Sequence, residues 1–191
     1  MKHPIKQFDL WYKQALRAEK VNPQAVSLGT ANASGRPSVR TVFLKGYDER
    51  GFIFYTNYGS RKGKELLQNP QAALLFYWKS LSRQVRIVGR TKRVSRKESD
   101  AYFRTRSRES QLGAWASAQS EAIPSRAALL KKVAVLRKRF KGTDVPLPPS
   151  WGGILLVPSE IEFWREGAHR LHDRIAYKKV KGKWKEVRLA P

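Results

Sequence analysis

The spacing of apolar residues in the first third of the chain predicts one helix followed by strands. Apolar residues recur at intervals of three and four over about residues 6–20, which is typical of an amphipathic helix. They are Phe8, Trp11, Tyr12, Ala15 and Leu16. Further apolar runs, separated by short turns that contain Gly, predict strands over 25–31, 39–46 and 52–56. Three strands joined by short turns form an antiparallel meander.

Capped helices and further strands occupy the rest of the chain. Ser60 has the position of an N-cap before a short helix, and Ser95 with Glu98 has the spacing of a capping box that begins a helix to about residue 106. An apolar stripe predicts a longer helix over about 125–140, and the proline-rich segment after it is expected to be a stiff linker. The remaining predicted strands are 72–78, 83–94, 153–157, 160–164 and 170–177, with a final strand near Trp184.

These elements predict a single α+β domain over residues 1–191. Seven or so strands are mostly linked by hairpins, and the helices come late, which favours an antiparallel barrel with attached helices. The sequence lacks both the parallel βαβ rhythm of a Rossmann domain and a G-x-G-x-x-G motif.

The composition adds a strong positive charge. The 191 residues include 39 Lys and Arg against 15 Asp and Glu, a net charge of +24, so nucleic-acid binding is one candidate function. There is no Cys, which excludes disulfides and thiolate chemistry. No apolar run reaches the roughly 20 residues of a membrane span, and no apolar segment of a signal peptide follows the N-terminal charges. We therefore expect a cytoplasmic protein with no membrane partner.

Two segments place cations where they suit a bound phosphate. Residues 40–45 form a predicted strand with Arg40 and Lys45 at its ends, and their opposite parity means different faces unless a bulge realigns them. Arg61 and Lys62 begin a predicted helix, where free backbone N–H groups and the helix dipole favour an anion. The alternatives are a charged edge strand and a solvated first helical turn.

Two further segments offer mixed or neutral hydrogen-bonding groups. Tyr102, Arg106 and Ser110 are four residues apart, so a helix through this stretch would present them on one face as phosphate ligands. Residues 111–120 include several amides and hydroxyls but no charge, which suits the polar edge of a heterocycle. The alternative for the second segment is a buried loop.

A further set of candidate ligand-binding residues lies near the C-terminus. Arg170, His172 and Arg174 alternate along a predicted strand and therefore share one of its faces. Two guanidinium groups and an imidazole suit an anionic, planar ligand. The alternative is a solvated, charged edge strand.

Several kinds of catalytic site are disfavoured. The three His residues form no H-E-x-x-H or similar metal-binding motif, and neither a G-x-S-x-G sequence nor a P-loop is present. No pair of carboxylates stands out as acid and base. If the chain is an enzyme, we expect a cofactor to supply the chemistry and the protein to supply phosphate binding and orientation.

Taken together, these segments resemble the pyridoxine/pyridoxamine 5'-phosphate oxidase family over nearly the whole chain. The most specific match is Glu-Phe-Trp at 162–164 followed by Arg-Leu-His-Asp-Arg at 170–174, and the Arg-Thr-Val-Phe-Leu-Lys strand at 40–45 also matches. The resemblance implies an antiparallel Greek-key split β-barrel. It also implies a homodimer with FMN bound at the subunit interface.

The resemblance further implies roles for individual residues. FMN would be bound by Arg40, Thr41, Val42, Phe43, Leu44, Lys45, Tyr55, Thr56, Arg61, Lys62 and Gln84, with Gln119, Ser120, Trp164 and Arg174 completing the site, some of them from the partner subunit. The substrate would be bound by Lys45, Tyr102, Arg106 and Ser110 at its phosphate and by Arg170, Leu171 and His172 at its ring. Of these, Arg170 and His172 would be the catalytic residues.

The implied reaction oxidises the C4' carbon of pyridoxine or pyridoxamine 5'-phosphate by hydride transfer to FMN. Oxygen is the final acceptor, and the products are pyridoxal 5'-phosphate and hydrogen peroxide, with ammonia from the amine. Two features are unusual for the family: Arg165 replaces an uncharged residue, and the cations outside the implied site still outnumber the acids. Three alternatives stay open: a flavin-binding relative with another substrate, a non-enzymatic nucleic-acid-binding protein, and an enzyme that also has a weak, non-specific affinity for polyanions.

Overall fold

The computed structural model describes residues 3–191 as one nine-stranded antiparallel sheet with five α-helices packed around it. The helices are α1 Pro4–Ala18, α2 Arg61–Gln68, α3 Arg96–Arg104, α4 Arg108–Ala116 and α5 Arg126–Arg139. The strands are β1 Ala25–Ala31, β2 Pro37–Phe43, β3 Gly46–Asp48, β4 Gly51–Asn57, β5 Gln71–Trp78, β6 Arg83–Arg93, β7 Trp151–Arg165, β8 Asp173–Val180 and β9 Lys183–Leu189. The predicted α+β class is confirmed. No helix within these residues is long and apolar enough to cross a membrane.

The barrel closes where the chain changes strand partners. The strand order is β2-β1-β5-β6-β7-β4-β3, so β2 and β3, consecutive in the chain, lie at opposite ends of the sheet. Between them the Leu44 N–H donates to the Gln24 carbonyl (2.9 Å) and the Lys45 N–H donates to the Ile53 carbonyl (2.9 Å). The first bond extends the β1–β2 pairing and the second extends the β3–β4 pairing, so the chain crosses here from one end of the sheet to the other. The curled antiparallel sheet confirms the predicted barrel.

Aromatic side chains fill the barrel core, and α1 contributes the central one. Phe8 is fully buried, with its ring centroid 4.9 Å from Tyr47, 4.8 Å from Phe52 and 5.3 Å from Phe76. Aromatic pairs at such distances stabilise a core beyond the area that they bury. The predicted N-terminal helix is confirmed, although it begins two residues earlier because Pro4 fits the first turn of a helix.

A second apolar cluster holds α3, α4 and α5 against β7. Its buried members are Phe103, Leu112, Phe140, Val145, Leu147 and Trp151. Val133 and Leu136 pack against this cluster, which confirms the predicted apolar stripe of α5. The proline-rich segment connects α5 to β7 without regular secondary structure, as predicted for a linker, but its side chains Val145 and Leu147 are part of this second core.

Two predicted strand boundaries are wrong for local reasons. The strand predicted over 39–46 ends at Phe43, because barrel closure bends the chain there. The two strands predicted over 153–157 and 160–164 form one strand, β7, because the β6–β7 register shifts next to Gly89 and leaves Ser159 of β7 unpaired. A Cβ at Gly89 would lie 2.1 Å from the Val157 carbonyl oxygen, so only glycine allows this approach.

The helix predicted from the capping box is shorter than expected. The Ser95 hydroxyl accepts a hydrogen bond from the Glu98 N–H (3.0 Å), which confirms the cap. The helix ends at Arg104, and the Ser107 hydroxyl accepts from the Ser110 N–H to begin a separate helix, α4. The prediction that one helix face carries the whole Tyr-Arg-Ser set is therefore wrong.

Candidate functional site

A cavity of about 840 Å³ opens between the barrel and helices α2 to α4. Its walls come from β2, β4 and β7 on the barrel side and from the three helices on the other. Twelve of the predicted site residues line it: Arg40, Thr41, Val42, Phe43, Lys45, Tyr55, Thr56, Lys62, Tyr102, Arg106, Ser110 and Gln119. Segments separated by up to about 80 residues therefore meet in one place.

Sequence reasoning missed six residues that also line the cavity: Asn57, Ser107, Gly113, Ala114, Ser117 and Trp151. Three of them lie in the uncharged stretch 111–120, so their neighbourhood was predicted although their individual contacts were not. Asn57 directly follows the predicted Tyr55 and Thr56. Ser107 could be found only after recognising that a second helix begins there.

The cavity is strongly electropositive. Four cations line it, Arg40, Lys45, Lys62 and Arg106, and none of the described residues that line it is a carboxylate. Such a lining attracts an anion and raises its local concentration. An anionic ligand with more than one charged group therefore suits this cavity better than a neutral or cationic one.

Arg40 is held in place by a buried carboxylate behind the cavity wall. The Arg40 guanidinium lies 3.2 Å from Glu65, whose carboxylate also accepts from Thr30 (2.5 Å), Ser38 (2.6 Å) and Arg61 (2.8 Å). Burial alone would raise the pKa of Glu65, but these hydrogen bonds outweigh it and hold the pKa at about 2. The carboxylate therefore stays ionised and fixes the guanidinium.

Lys62 is a buried cation without a carboxylate in the cavity. Its Nζ lies 3.1 Å from the Gln119 side-chain oxygen, which also accepts from the Thr56 hydroxyl at 3.2 Å. Burial lowers the pKa of Lys62, and the nearby charge of Arg40 lowers it further. A bound anion would relieve both effects. The predicted Ser60 cap of α2 is confirmed, because its hydroxyl accepts from the Gly63 N–H.

Arg106 has an unused donor inside the cavity wall. It lies over the Trp151 ring, with the guanidinium carbon 4.8 Å from the ring centroid. Its Nη1 atom is buried and has no hydrogen-bond partner among the described residues. Burial lowers the pKa of Arg106, although an arginine stays charged. Buried donors are normally paired, so this nitrogen is a candidate ligand for an anionic oxygen.

Stacked aromatic rings support the same wall. The ring centroids of Tyr55 and Tyr102 are 3.9 Å apart, and those of Tyr55 and Trp151 are 5.4 Å apart, with nearly parallel planes in both pairs. Burial raises the pKa of Tyr55 to about 12, so its hydroxyl remains a donor at neutral pH. The stack fixes the barrel side of the cavity relative to α3.

The bend that closes the barrel explains how Arg40 and Lys45 reach one cavity. Their opposite parity on a regular strand would separate them, but β2 ends at Phe43. Leu44 turns into the core, with 5% of its surface exposed, and Lys45 returns to the cavity. Of the six residues predicted here, only Leu44 lies outside the lining.

Two predicted FMN ligands, Arg61 and Ser120, lie outside the central cavity. They line a smaller cleft of about 290 Å³ together with Glu65 and Gln68. The neighbouring side chains Lys62 and Gln119 point into the central cavity instead. Successive residues of a helix start and of a turn face different directions, which residue spacing alone did not resolve.

A second pocket, of about 300 Å³, holds three other predicted residues. Gln84, Trp164 and Arg174 line it with Glu162. The buried Glu162 carboxylate lies 2.8 Å from Arg174 and 2.6 Å from Arg86. Burial alone would raise the pKa of Glu162, but the hydrogen bonds from both arginines hold it below its usual range.

The prediction that Arg170, His172 and Arg174 share a strand face is wrong. Strand β8 begins only at Asp173, and Arg170 ends a short 3-10 turn in which it has a φ of +63°. The Leu171 N–H donates to the Ala168 carbonyl (3.0 Å), and the His172 Nδ1 accepts from the Gly167 N–H (3.3 Å). These turn contacts replace strand pairing. Arg170, Leu171 and His172 line neither the central cavity nor the second pocket.

Comparison with known proteins identifies the family. Residues 12–140 match the family described as pyridoxamine 5'-phosphate oxidase, and residues 151–191 match the pyridoxine 5'-phosphate oxidase C-terminal dimerisation region. The chain belongs to the pyridoxamine 5'-phosphate oxidase family. Curated relatives named pyridoxine/pyridoxamine 5'-phosphate oxidase are 56% identical in Rubrobacter xylanophilus, over 98% of this chain and 87% of the relative, and 53% identical in Burkholderia mallei, over 99% and 89%.

Solved structures resemble this oxidase-family chain over its full length. PhzG from Burkholderia lata, in complex with tetrahydrophenazine-1-carboxylic acid, is 34% identical with a TM-score of 0.95, covering 100% of this chain and 94% of PhzG. A pyridoxamine 5'-phosphate oxidase-related, FMN-binding protein from Nostoc punctiforme is 18% identical with a TM-score of 0.79, covering 100% of both chains. This second likeness confirms the fold.

The family's dimerisation region contains the second pocket's most distinctive residues. It spans strands β7 to β9, which carry Trp164, Arg174 and the turn with Arg170 and His172. Five of the nine predicted site residues that do not line the central cavity therefore lie in the region named for dimerisation: Trp164, Arg170, Leu171, His172 and Arg174.

Proposed function

We propose that the chain is an FMN-dependent oxidase that converts pyridoxine 5'-phosphate and pyridoxamine 5'-phosphate to pyridoxal 5'-phosphate. Oxygen is the electron acceptor, hydrogen peroxide is formed, and the amine substrate also yields ammonia. The observation that carries the proposal is the cavity lined by four cations and no carboxylate. FMN and both substrates are phosphate monoesters, and the names of the curated relatives support the same reaction.

The cavity residues fit FMN. Arg40 and Lys62, with the neutral donor Thr56, would hold its phosphate, because charge-assisted hydrogen bonds are the strongest that side chains make to phosphate oxygens. Gln119 and the uncharged stretch around Ser117 offer amide and backbone groups for the ring. When bound, FMN supplies the hydride acceptor that protein side chains lack.

A second group of residues would hold the substrate phosphate. Lys45, Tyr102, Arg106 and Ser110 line the same cavity but come from the barrel bend, from α3, from the turn between α3 and α4, and from α4. The unpaired Arg106 nitrogen supports this role, because a phosphate oxygen would satisfy it. At about 840 Å³ the cavity is near the top of the usual range for ligand pockets, roughly 300–1,000 Å³, which leaves room for two ligands.

A homodimer would complete the site. An exposed sheet face runs from Thr41 and Phe43, which line the central cavity, to Leu75, which lines the second pocket. Its large side chains are exposed: Val39 by 72% and Tyr77 by 59%. Contiguous exposed apolar surface is typical of protein interfaces. A second copy on this face would bring its Gln84, Trp164 and Arg174 to the FMN.

The same arrangement assigns a position to the catalytic pair. Arg170 and His172 lie outside the cavity of their own chain, so they would reach the substrate from the partner subunit. There they would orient the pyridine ring and stabilise the charge that develops on it. No residue is assigned as a strong general base.

Glu162→Gln is expected to weaken FMN binding about fivefold. The variant keeps the shape of the side chain but replaces a charged hydrogen bond to Arg174 with a neutral one, a difference of about 1 kcal/mol. The measurement is a titration of apo-protein with FMN, followed by flavin fluorescence. Glu160→Gln is the matched control, because Glu160 binds Arg86 (2.6 Å) but not Arg174. Equal weakening in both variants would contradict the role of Arg174.

The proposed function is tested by pyridoxal 5'-phosphate formation from pyridoxine 5'-phosphate in air, with and without added FMN. Product that depends on FMN, together with hydrogen peroxide, is the expected result. Bound flavin without product would show that the substrate is wrong. Absence of both flavin binding and product would overturn the proposal as a whole.

A flavin-dependent oxidation of another substrate is the second candidate, and the likeness to PhzG favours it. PhzG was solved with tetrahydrophenazine-1-carboxylic acid, which has a carboxylate and no phosphate. Hydrogen peroxide formation with this compound in place of pyridoxine 5'-phosphate discriminates the two, since a cavity with two separate sets of phosphate ligands should favour the phosphorylated substrate.

A further inference from the structure

Helix α5 and its C-terminal turn carry many cations and no acid. The seven cations are Arg126, Lys131, Lys132, Arg137, Lys138, Arg139 and Lys141. Among the residues that the structure describes, a carboxylate pairs with only one of them, Arg137, which lies 2.7 Å from Glu109. The helix dipole favours the cations of the last turn but not those of the first and middle turns. Repulsion among these cations destabilises the helix, so the stability of α5 does not explain why they are there.

Three of these lysines form a stripe on the outward side of the helix. Lys131 and Lys138 are seven residues apart, which is two turns and places them on the same face, and Lys141 lies in the turn that follows the helix. All three are exposed. The opposite side of the helix, with Val133 and Leu136, packs against the second apolar cluster. The outward lysines are thus free of the contacts that attach α5 to the protein.

We propose that this outward face of α5 binds double-stranded nucleic acid through its phosphate backbone. Lysines are flexible point charges that neutralise phosphates without reading base sequence, so the binding would be non-specific and salt-dependent. The helix is about 21 Å long, enough to contact several successive phosphates. None of its cations lines the central cavity, so the nucleic acid and FMN bind independently.

An anionic membrane fits this face less well. Helices that lie on a bilayer insert a continuous apolar side into it. In α5 that side is already packed against the second cluster, and the larger apolar side chains left outside are Leu130 and Val135. The lysines therefore fit a partner that presents negative charge and does not require an apolar surface on the helix.

The test compares two triple variants of equal charge. Lys131, Lys138 and Lys141 are replaced by Gln in one, and Lys181, Lys183 and Lys185 of the exposed β8–β9 hairpin are replaced by Gln in the other. Binding of the full-length, FMN-saturated protein to a labelled DNA duplex of about two helical turns is followed by fluorescence anisotropy at several salt concentrations. The α5 variant is expected to lose at least about tenfold more affinity, with a salt slope smaller by roughly 2.7.

Several outcomes would overturn the proposal. Equal losses of duplex affinity in the two variants would show that binding depends on net charge alone. If the unmodified protein does not bind the duplex at about 50 mM salt, nucleic-acid binding by α5 is excluded. Binding to phosphatidylserine vesicles without binding to the duplex would identify a membrane surface instead. In the unmodified protein, the duplex should also protect Lys131, Lys138 and Lys141 from acetylation, and unchanged labelling would contradict the assignment even if a variant folds poorly.

Discussion

Replacing Arg106 by alanine is expected to lower kcat/KM for pyridoxine 5'-phosphate by about 10²- to 10³-fold. Removing one partner of a buried, hydrogen-bonded charge pair costs roughly 2–5 kcal/mol, and the buried Arg106 nitrogen has the proposed substrate phosphate as its partner. Most of the loss should appear in KM, because the phosphate is bound equally in the ground and transition states. Steady-state kinetics of product formation measures both parameters.

Unphosphorylated pyridoxine is the control for this variant. Without a phosphate, the alanine variant and the unmodified protein should use it equally poorly, so the variant loses its discrimination between the two forms. Affinity for FMN should change little, since Arg40 and Lys62 are intact. A similar loss with both forms of the substrate would show that Arg106 supports the cavity wall through Trp151 rather than binding the phosphate.

Replacing Arg170 by alanine is expected to lower kcat by about 10²- to 10³-fold while FMN affinity stays within a few-fold. Removing a single group that stabilises developing charge has an effect of this size. Arg170 lies outside its own chain's cavity, so the loss would also support its contribution from the partner subunit. Single-turnover kinetics with bound flavin and an FMN titration separate the two effects.

The backbone of Arg170 provides a matched control. Its φ of +63° is unfavourable for any residue with a Cβ, whereas glycine adopts it freely. Arg170→Gly and Arg170→Ala should therefore lose kcat to the same extent if the guanidinium matters. A parallel loss of FMN affinity in both variants would contradict the assignment of Arg170 to the substrate.

The central cavity was largely predictable because its residues lie in short segments whose chemistry is visible locally. Cations at a capped helix start and an uncharged stretch in a basic chain both indicated ligand binding, and both segments line the cavity. The helix-spacing argument for Tyr102, Arg106 and Ser110 reached the correct cavity for the wrong reason. A turn between two helices, rather than one helix face, brings the three together.

The remaining site could not be derived from spacing because it depends on long-range structure. Lys45 joins Arg40 only because the closed barrel bends the chain after Phe43. Arg170 and His172 leave the predicted strand because two consecutive residues, His169 and Arg170, have positive φ, which residue alternation does not reveal. Residue identities were therefore more predictable than the directions in which their side chains point.

The bend at Leu44 and Lys45 contributes both to the barrel fold and to the ligand-binding cavity. The two hydrogen bonds there extend the pairing of β2 with β1 on one side and of β3 with β4 on the other, and the cavity takes residues from both sides of that junction. The ligand pocket therefore forms only where the two ends of the sheet are brought together. Any ligand that binds only the closed form stabilises that form, by about 2.7 kcal/mol when the ligand concentration is a hundredfold above Kd. Loss of such a ligand therefore lowers the stability of the whole fold, and the ligand-saturated protein is expected to unfold at a higher temperature than the ligand-free one.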